Sequence, residues 1–300
     1  MTNANHSIEN GPSFDPMHPA IIIGAGRSGT NMLRDLLVSL PEFSTWPCDE
    51  INYIWRHGNR NAATDQFQRN MATPKITRFI RRQFEKMAAT GPDTVLIEKT
   101  CANSLRCGFV HEIFPNAKFI HIIRDGRDVA ASAALRWNAK LDVKYLLQKA
   151  RFVPKLDLPV YAFLYLKARL FRIFSGKSRL STWGPKFEGM QESLASNELP
   201  VACAIQWKTC VNAAMEQLQS VESEQVLTIQ YEAFTKSPVN ELDRICRFLG
   251  VEADAEVLRQ LCERVSARSV GKWKSQLTEQ QSNSITEKCG RLLKQLGYVD

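Results

Sequence analysis

Apolar residues fall into two kinds of run along this 300-residue chain. Short, largely apolar runs occupy 20–23, 94–97, 118–123 and 225–229 and predict strands, the first three of them buried. Elsewhere apolar positions return every three or four residues, as at 32, 33, 36, 37 and 40. That spacing predicts helices over 30–39, 102–114, 126–137, 201–221, 238–249, 254–264 and 279–296. Pro41 stops the first helix, and Pro115-Asn116 closes the second. Strands alternating with helices predict an α/β fold, a central parallel sheet flanked by helices. No apolar run reaches the ~18 residues needed to cross a bilayer; the stretch 158–174 is cut by Lys167, Arg169 and Arg172. The first 18 residues are polar, lack the apolar core of a secretory signal, and read as a disordered lead-in. Residues 19–300 then form a single domain with a helical insert at about 140–200.

Charge changes this picture in one place. The formal net charge is +8, yet residues 140–186 alone carry eleven Lys/Arg against two Asp, which leaves the rest of the chain nearly neutral. The same segment holds Tyr145, Phe152, Tyr161, Phe163, Tyr165, Phe171, Phe174 and Trp183. A basic, aromatic insert suits an acidic glycan or an anionic membrane surface, and a helical hairpin with a solvated basic face accounts for it equally. With 44% hydrophobic and 23% charged residues, collagen-like, coiled-coil and wholly disordered classes are excluded. Eight cysteines, with no Cys-x-x-Cys pair and no export signal, predict reduced thiols in a cytoplasmic protein and no metal site.

Two segments carry chemistry. The first, Gly24-Ala-Gly-Arg-Ser-Gly-Thr30, lies between a predicted strand and a predicted helix. Its glycines satisfy the dinucleotide fingerprint, with Asp49 or Glu50 about 20 residues on, but Pro47 is a poor end for the second strand that fingerprint expects. They also nearly satisfy the NTP-binding P-loop, except that Thr30 stands where the lysine belongs. A third reading keeps only the physics. A strand–loop–helix turn offers backbone N–H groups to an anion, Arg27 supplies a fixed planar cation, and Ser28 and Thr30 supply hydroxyls. In the second segment, a buried strand delivers Arg124 at its C-terminal end, where open α/β sheets bind ligands. Gly126 then turns the chain into a helix that places Ser132 and Arg136 four residues apart on one face. Two anion sites at two strand ends predict a ligand with two phosphate-bearing ends.

These two segments resemble the cofactor motifs of PAPS-dependent sulfotransferases (PAPS is 3′-phosphoadenosine 5′-phosphosulfate). The chain is most similar to tyrosylprotein sulfotransferases and their bacterial relatives: the Arg27-Ser-Gly-Thr30 loop, the run Phe114-Pro-Asn-Ala-Lys-Phe119 leading to Arg124-Asp-Gly-Arg127, and Lys99 ahead of that run. The likeness covers most of 20–136 and 200–300, and nothing transfers onto 140–200. It implies a sulfotransferase fold with a P-loop-like strand–loop–helix site. It implies transfer of a sulfuryl group from PAPS to a hydroxyl, releasing PAP, without a metal. It assigns Gly26, Arg27, Ser28, Gly29 and Thr30 to the 5′-phosphosulfate, and Arg124, Ser132 and Arg136 to the 3′-phosphate. Tyr231 then meets the nucleoside, Lys272 closes over the 3′-phosphate, and Ser266 contacts the sulfuryl end.

Lys99 is implied as the cation at the leaving oxygen. Cytosolic sulfotransferases carry a catalytic histidine two residues after that lysine; here Cys101 stands there, so that base is absent. The tyrosylprotein branch uses a glutamate after the first helix, which points to Glu50, with Asp49 second and His57 third. The acceptor is expected to be a carbohydrate or polysaccharide, ahead of a protein tyrosine, a small molecule or a lipid headgroup; no nucleic-acid partner is expected. Trp137, Trp183 and Trp207 are candidates for the acceptor cleft or for the core. The rival functions are a P-loop-like nucleotide-dependent kinase and a non-catalytic protein that binds anionic ligands or membrane surfaces.

Overall fold

The computed structural model describes residues 18–90, 94–137 and 183–299. The lead-in up to residue 17 and the insert up to residue 182, with all its aromatics but Trp183, lie outside the described residues.

Five parallel strands form one sheet: β1 (Ala20–Ile23), β2 (Phe43–Thr45), β3 (Val95–Lys99), β4 (Lys118–Ile123) and β5 (Val226–Gln230), in the order β2-β3-β1-β4-β5. Every side chain of β1 is buried, as its unbroken apolar run requires of a central strand. From β1 the chain leaves toward β2 on one side; from β4 it leaves toward β5 on the other. The ends of β1 and β4, adjacent in the sheet, therefore flank the switch point where α/β sheets bind ligands.

Helices cover both faces. One face packs Ala20, Ile22 and Ile120 under α1 (Thr30–Leu37) through Leu33, Leu36 and Leu37. The other packs Ile21, Leu96 and Phe119 against α2 (Asn52–Trp55), α3 (Pro74–Ala88) and α4 (Cys107–Ile113). A third apolar cluster joins α5 (Gly126–Trp137), α6 (Met190–Ser196) and α7 (Leu199–Leu218). After β5 come α8 (Tyr231–Lys236), α9 (Pro238–Leu249), α10 (Ala255–Cys262), α11 (Trp273–Gln276) and α12 (Glu279–Gln295).

The apolar pattern assigns no element between Pro41 and Thr94, yet β2, α2 and α3 lie there. The predicted helix 102–114 is split into a 3-10 turn, Cys101–Leu105, and α4. Arg106 leaves helical geometry between them (φ −149°, ψ 36°) as its guanidinium turns inward to Asn52 and Asn103. Trp207 and Trp137 are core residues, Trp207 lying against Gly126 so closely that a Cβ there would sit 2.4 Å from the ring. No helix among the described residues is long and apolar enough to cross a membrane.

Candidate active site

The loop after β1 is built for close approach. Gly29 has φ 93°, and a Cβ there would fall 2.5 Å from the Tyr231 ring, so only glycine fits. Arg27 adopts φ 75°, the one non-glycine residue with positive φ among the described residues. The loop closes on itself through Ser28 N–H to Ala25 O (3.1 Å), and α1 starts at once with Leu33 N–H to Gly29 O (3.0 Å). Ser28 is fully buried, and its Oγ has no hydrogen-bond partner. Trp183 lays its ring over Gly26, 3.1 Å from where a Cβ would stand.

The end of β4 meets this loop. Arg124 Nη1 donates to Arg27 O (3.2 Å), Nη2 donates to Ser269 O and lies 3.7 Å from Asp128 Oδ2, and the guanidinium sits 4.5 Å over the Tyr231 ring. Its Nε is buried without a partner. Arg27 Nε donates to Ser132 Oγ (2.9 Å). Burial, and then the charges of Arg136 and Arg124, pull the Arg27 guanidinium below its ordinary value. Arg27 and Arg124 at two strand ends, Arg136 in the last turn of α5, two buried polar atoms unpaired among the described residues and a glycine-lined helix N-terminus make a cradle suited to anions.

The segment after α10 caps this cradle. Asp128, on α5, accepts from Gly271 N–H (2.7 Å) and Trp273 N–H (2.9 Å), and Arg127 stacks on the Trp273 ring at 4.1 Å. Tyr231 and Ser269 hydroxyls are 2.6 Å apart. Lys272 is thus carried on a pinned turn with its side chain exposed. Ser266 is exposed and caps the 3-10 turn Ala267–Ser269 through Arg268 N–H (3.2 Å); it is Ser269 that reaches Arg124 and Tyr231. Neither Ser269 nor Asp128 has a local sequence signal for this role.

A second cluster lies at the end of β3. Lys99 Nζ, with its side chain 1% exposed, donates to Asp49 Oδ1 (2.9 Å) and Glu50 Oε1 (3.1 Å). Arg34 Nη1 also reaches Asp49 Oδ1 (3.0 Å), while Glu50 Oε1 takes its other bond from Cys101 N–H (3.3 Å). Burial pushes Asp49 upward, but Lys99 and Arg34 outweigh it and hold the carboxyl well below the usual range, which makes it a poor proton acceptor. Burial works against the Lys99 ammonium, and the two carboxylates more than restore its charge. His57 stacks on Phe79 of α3, ring centroids 3.6 Å apart. Thr30 Oγ1 lies 3.7 Å from Cys101 Sγ, so the acid–lysine cluster adjoins the anion loop.

Burial raises the Cys101 thiol far above its ordinary value, so it is neither nucleophile nor base. Cys101→Ser should leave turnover within ~3-fold of wild type, far above the loss of an acid–base group. A steady-state assay beside Lys99→Ala checks this, and equal losses in both variants would move the catalytic centre to the thiol.

A model of the sulfotransferase family matches residues 19–154 and 170–255. No curated protein matches the chain. Among solved structures, the sulfotransferase domain from the curacin biosynthetic pathway is similar with a TM-score of 0.52 and 13% identity, over 91% of this chain and 97% of that one. Sulfotransferase STF9 from Mycobacterium avium is similar with a TM-score of 0.53 and 13% identity, over 95% and 78%. Mouse sulfotransferase SULT7A1 complexed with PAP is similar with a TM-score of 0.50 and 16% identity, over 94% and 89%. At these identities the likeness is one of fold.

Proposed function

The chain belongs to the sulfotransferase family, and we propose that it transfers the sulfuryl group of PAPS to a hydroxyl of a carbohydrate acceptor, leaving PAP. The observation that carries this reading is the pairing of two anion cradles at the β1 and β4 ends with the Lys99–Glu50 cluster beside the first of them. The cradle fits a ligand with two phosphate-bearing ends, because Ser28 Oγ after β1 and Arg124 Nε after β4 are buried polar atoms without a partner among the described residues. Residues 26–30 would hold the 5′ end. Arg124, Ser132, Arg136 and Lys272 would hold the 3′ phosphate, with Tyr231 against the nucleoside and Ser266 at the edge of the capping segment. When bound, PAPS supplies an activated sulfuryl group.

The chain's own groups divide the remaining work. Glu50 accepts the proton of the acceptor hydroxyl; of the two acids on Lys99, it is the one without an arginine partner among the described residues. Lys99 is held charged and oriented by both carboxylates, and offsets negative charge developing at the leaving oxygen. Arg34 fixes Asp49, which fixes Lys99. Little covalent work falls to the protein, as in phosphoryl transfer, so positioning and electrostatics supply most of the rate.

A carbohydrate acceptor is supported by the basic, aromatic insert, whose charge suits an acidic glycan. A tyrosine-bearing peptide is the second reading, supported by the resemblance of the 27–30 and 114–127 motifs to tyrosylprotein sulfotransferases. A cytoplasmic setting, a single domain over 19–300 and a reaction without a metal belong to the same proposal. Sulfur-labelled PAPS offered with a glycan panel and a tyrosyl-peptide panel tests the choice. Label on glycans alone supports it; label on peptides alone overturns the carbohydrate assignment.

Arg124→Ala removes charge-assisted bonds at the β4 end. PAP affinity should drop at least ~10-fold, the equivalent of one bond to a charged group. Calorimetry with an unchanged PAP affinity in this variant would remove Arg124 from the cradle.

A further inference from the structure

Beneath the acid–lysine cluster lies a buried polar chain that the transfer step does not use. Glu98, the residue before Lys99 in β3, is 1% exposed, and Thr100 is fully buried. Both oxygens of the Glu98 carboxylate accept: Oε1 from the Thr100 hydroxyl (2.5 Å) and Oε2 from Asn103 Nδ2 (2.8 Å). Thr100 Oγ1 in turn accepts from Ile51 N–H (3.2 Å), the amide immediately after Glu50. The far end is fixed as well. Asn103 Oδ1 accepts from Arg106 Nε (2.9 Å), and the fully buried Arg106 reaches Asn52 Oδ1 through Nη2 (2.6 Å).

Donor and acceptor directions along this chain are set at every link. Arg106 can only donate, so Asn103 turns its oxygen to Arg106 and its NH2 to Glu98. The Ile51 amide can only donate, so the single proton of Thr100 must go to Glu98. A carboxylate that accepts on both sides is the one group that completes the pattern. A glutamine or a protonated acid would bring a donor against either Asn103 or the Thr100 proton. The charged groups facing this carboxylate are Lys99 and Glu50 from the cluster above and Arg106 from the α4 side, with Asp65 3.6 Å beyond Arg106. Burial pushes the Glu98 carboxyl up, and the bond from Thr100 and the charge of Lys99 pull it back toward the ionised form.

We propose that Thr100, anchored on Glu98, is a positioning residue: its hydroxyl holds the Ile51 amide and so fixes the peptide that carries Glu50 over Lys99. This rests on the assignment of Glu50 as proton acceptor. The loop needs such a hold, since the acidic pair sits between the three-residue β2 and the four-residue α2 and has little regular structure of its own.

Thr100→Val keeps the side-chain shape and removes the hydroxyl. Its effects are read by amide hydrogen exchange, by PAP calorimetry, and by turnover of labelled PAPS with the acceptor that the panels return. The Ile51 amide should exchange at least ~10-fold faster, as expected when one hydrogen bond is lost. The Ile54 and Trp55 amides, which donate to Ile51 O, should be unchanged. Turnover should fall ~10–100-fold, the cost of a displaced catalytic group, while PAP affinity stays within ~2-fold. Thr100→Ser should recover both exchange and turnover. Glu98→Gln should mimic Thr100→Val, and the double variant should be no worse than the poorer single one, since the two residues form one link. Wild-type exchange and turnover in Thr100→Val would overturn the proposal, as would a parallel loss of PAP affinity. Glu50→Gln, run alongside, separates the two levels. Full loss there with a silent Thr100→Val discards only the positioning role; near-normal turnover in Glu50→Gln discards the assignment on which it rests.

Discussion

Glu50→Gln is expected to lower turnover ~10²–10⁴-fold, the range for a lost general base, with PAP affinity nearly unchanged. The substitution preserves the shape of the side chain and its bond from Cys101 N–H, and removes only the capacity to take a proton. PAP affinity should survive because the anion cradle is built from residues 26–30, Arg124 and Ser132, none of which bonds to Glu50. Asp49→Asn should be milder in turnover. Asp49 is clamped between Lys99 and Arg34, and its carboxyl is held so low that it resists protonation. His57→Ala should be milder still, since that ring is stacked on Phe79. Rates and PAP affinities of the three single variants check the assignment. A collapse in Asp49→Asn or His57→Ala, with Glu50→Gln near normal, would transfer the role.

Lys99→Met should damage both activity and stability. Removing a preorganised charge at the site of developing negative charge costs ~10²–10³ in turnover. It also removes the Lys99 ammonium from Glu50 and from Asp49, whose ion pair with Arg34 remains. Breaking a buried pair costs ~3–5 kcal/mol. Both carboxylates keep partial exposure, 30% and 24%, which places the expected loss near the lower end, about 3 kcal/mol. The pH dependence has a defined sign. Asp49 has its folded-state pKa depressed, so its contribution is present above the ordinary carboxylate range and is lost as pH falls. The melting-temperature gap between wild type and Lys99→Met should therefore be full at neutral pH and narrow below pH ~4. A gap independent of pH would mean that packing, not the ion pair, sets the cost.

The parts legible in the sequence are those whose signal is local. β1, β3, β4 and β5 are short, mostly apolar runs, and the first three reach the centre of the sheet, where both faces are buried. Each anion motif is one strand, one turn and one helix start, so its residues arrive together whatever the rest of the chain does. β2 is only Phe-Ser-Thr, too short for a period, and pairs through β3 at the sheet edge. α3 does carry a helical period in Ile76, Ile80 and Phe84 beneath its charged residues, and Pro74 marks its start. The break at Arg106 is tertiary: nothing in 102–114 announces that its guanidinium will turn inward to Asn52, 54 residues away.

The acid pair shows the same limit in the site. Asp49 and Glu50 are chemically equivalent along the chain. What separates them is Arg34 on one and the Cys101 amide on the other, both distant in sequence. Ser266 and Ser269 differ likewise, since three residues of 3-10 turn decide which hydroxyl faces Tyr231.

The β1 and β4 ends together are expected to hold a nucleotide bearing phosphate at both its 3′ and 5′ positions. Calorimetric titration of the wild-type protein with PAP and, separately, with ATP tests it without knowledge of the acceptor. Saturable PAP binding with clear preference over ATP is expected, because Arg124, Ser132 and Arg136 are proposed to answer a 3′ phosphate and Thr30 stands where an NTP site needs lysine. ATP bound as tightly as PAP, or PAP not bound at all, would contradict it.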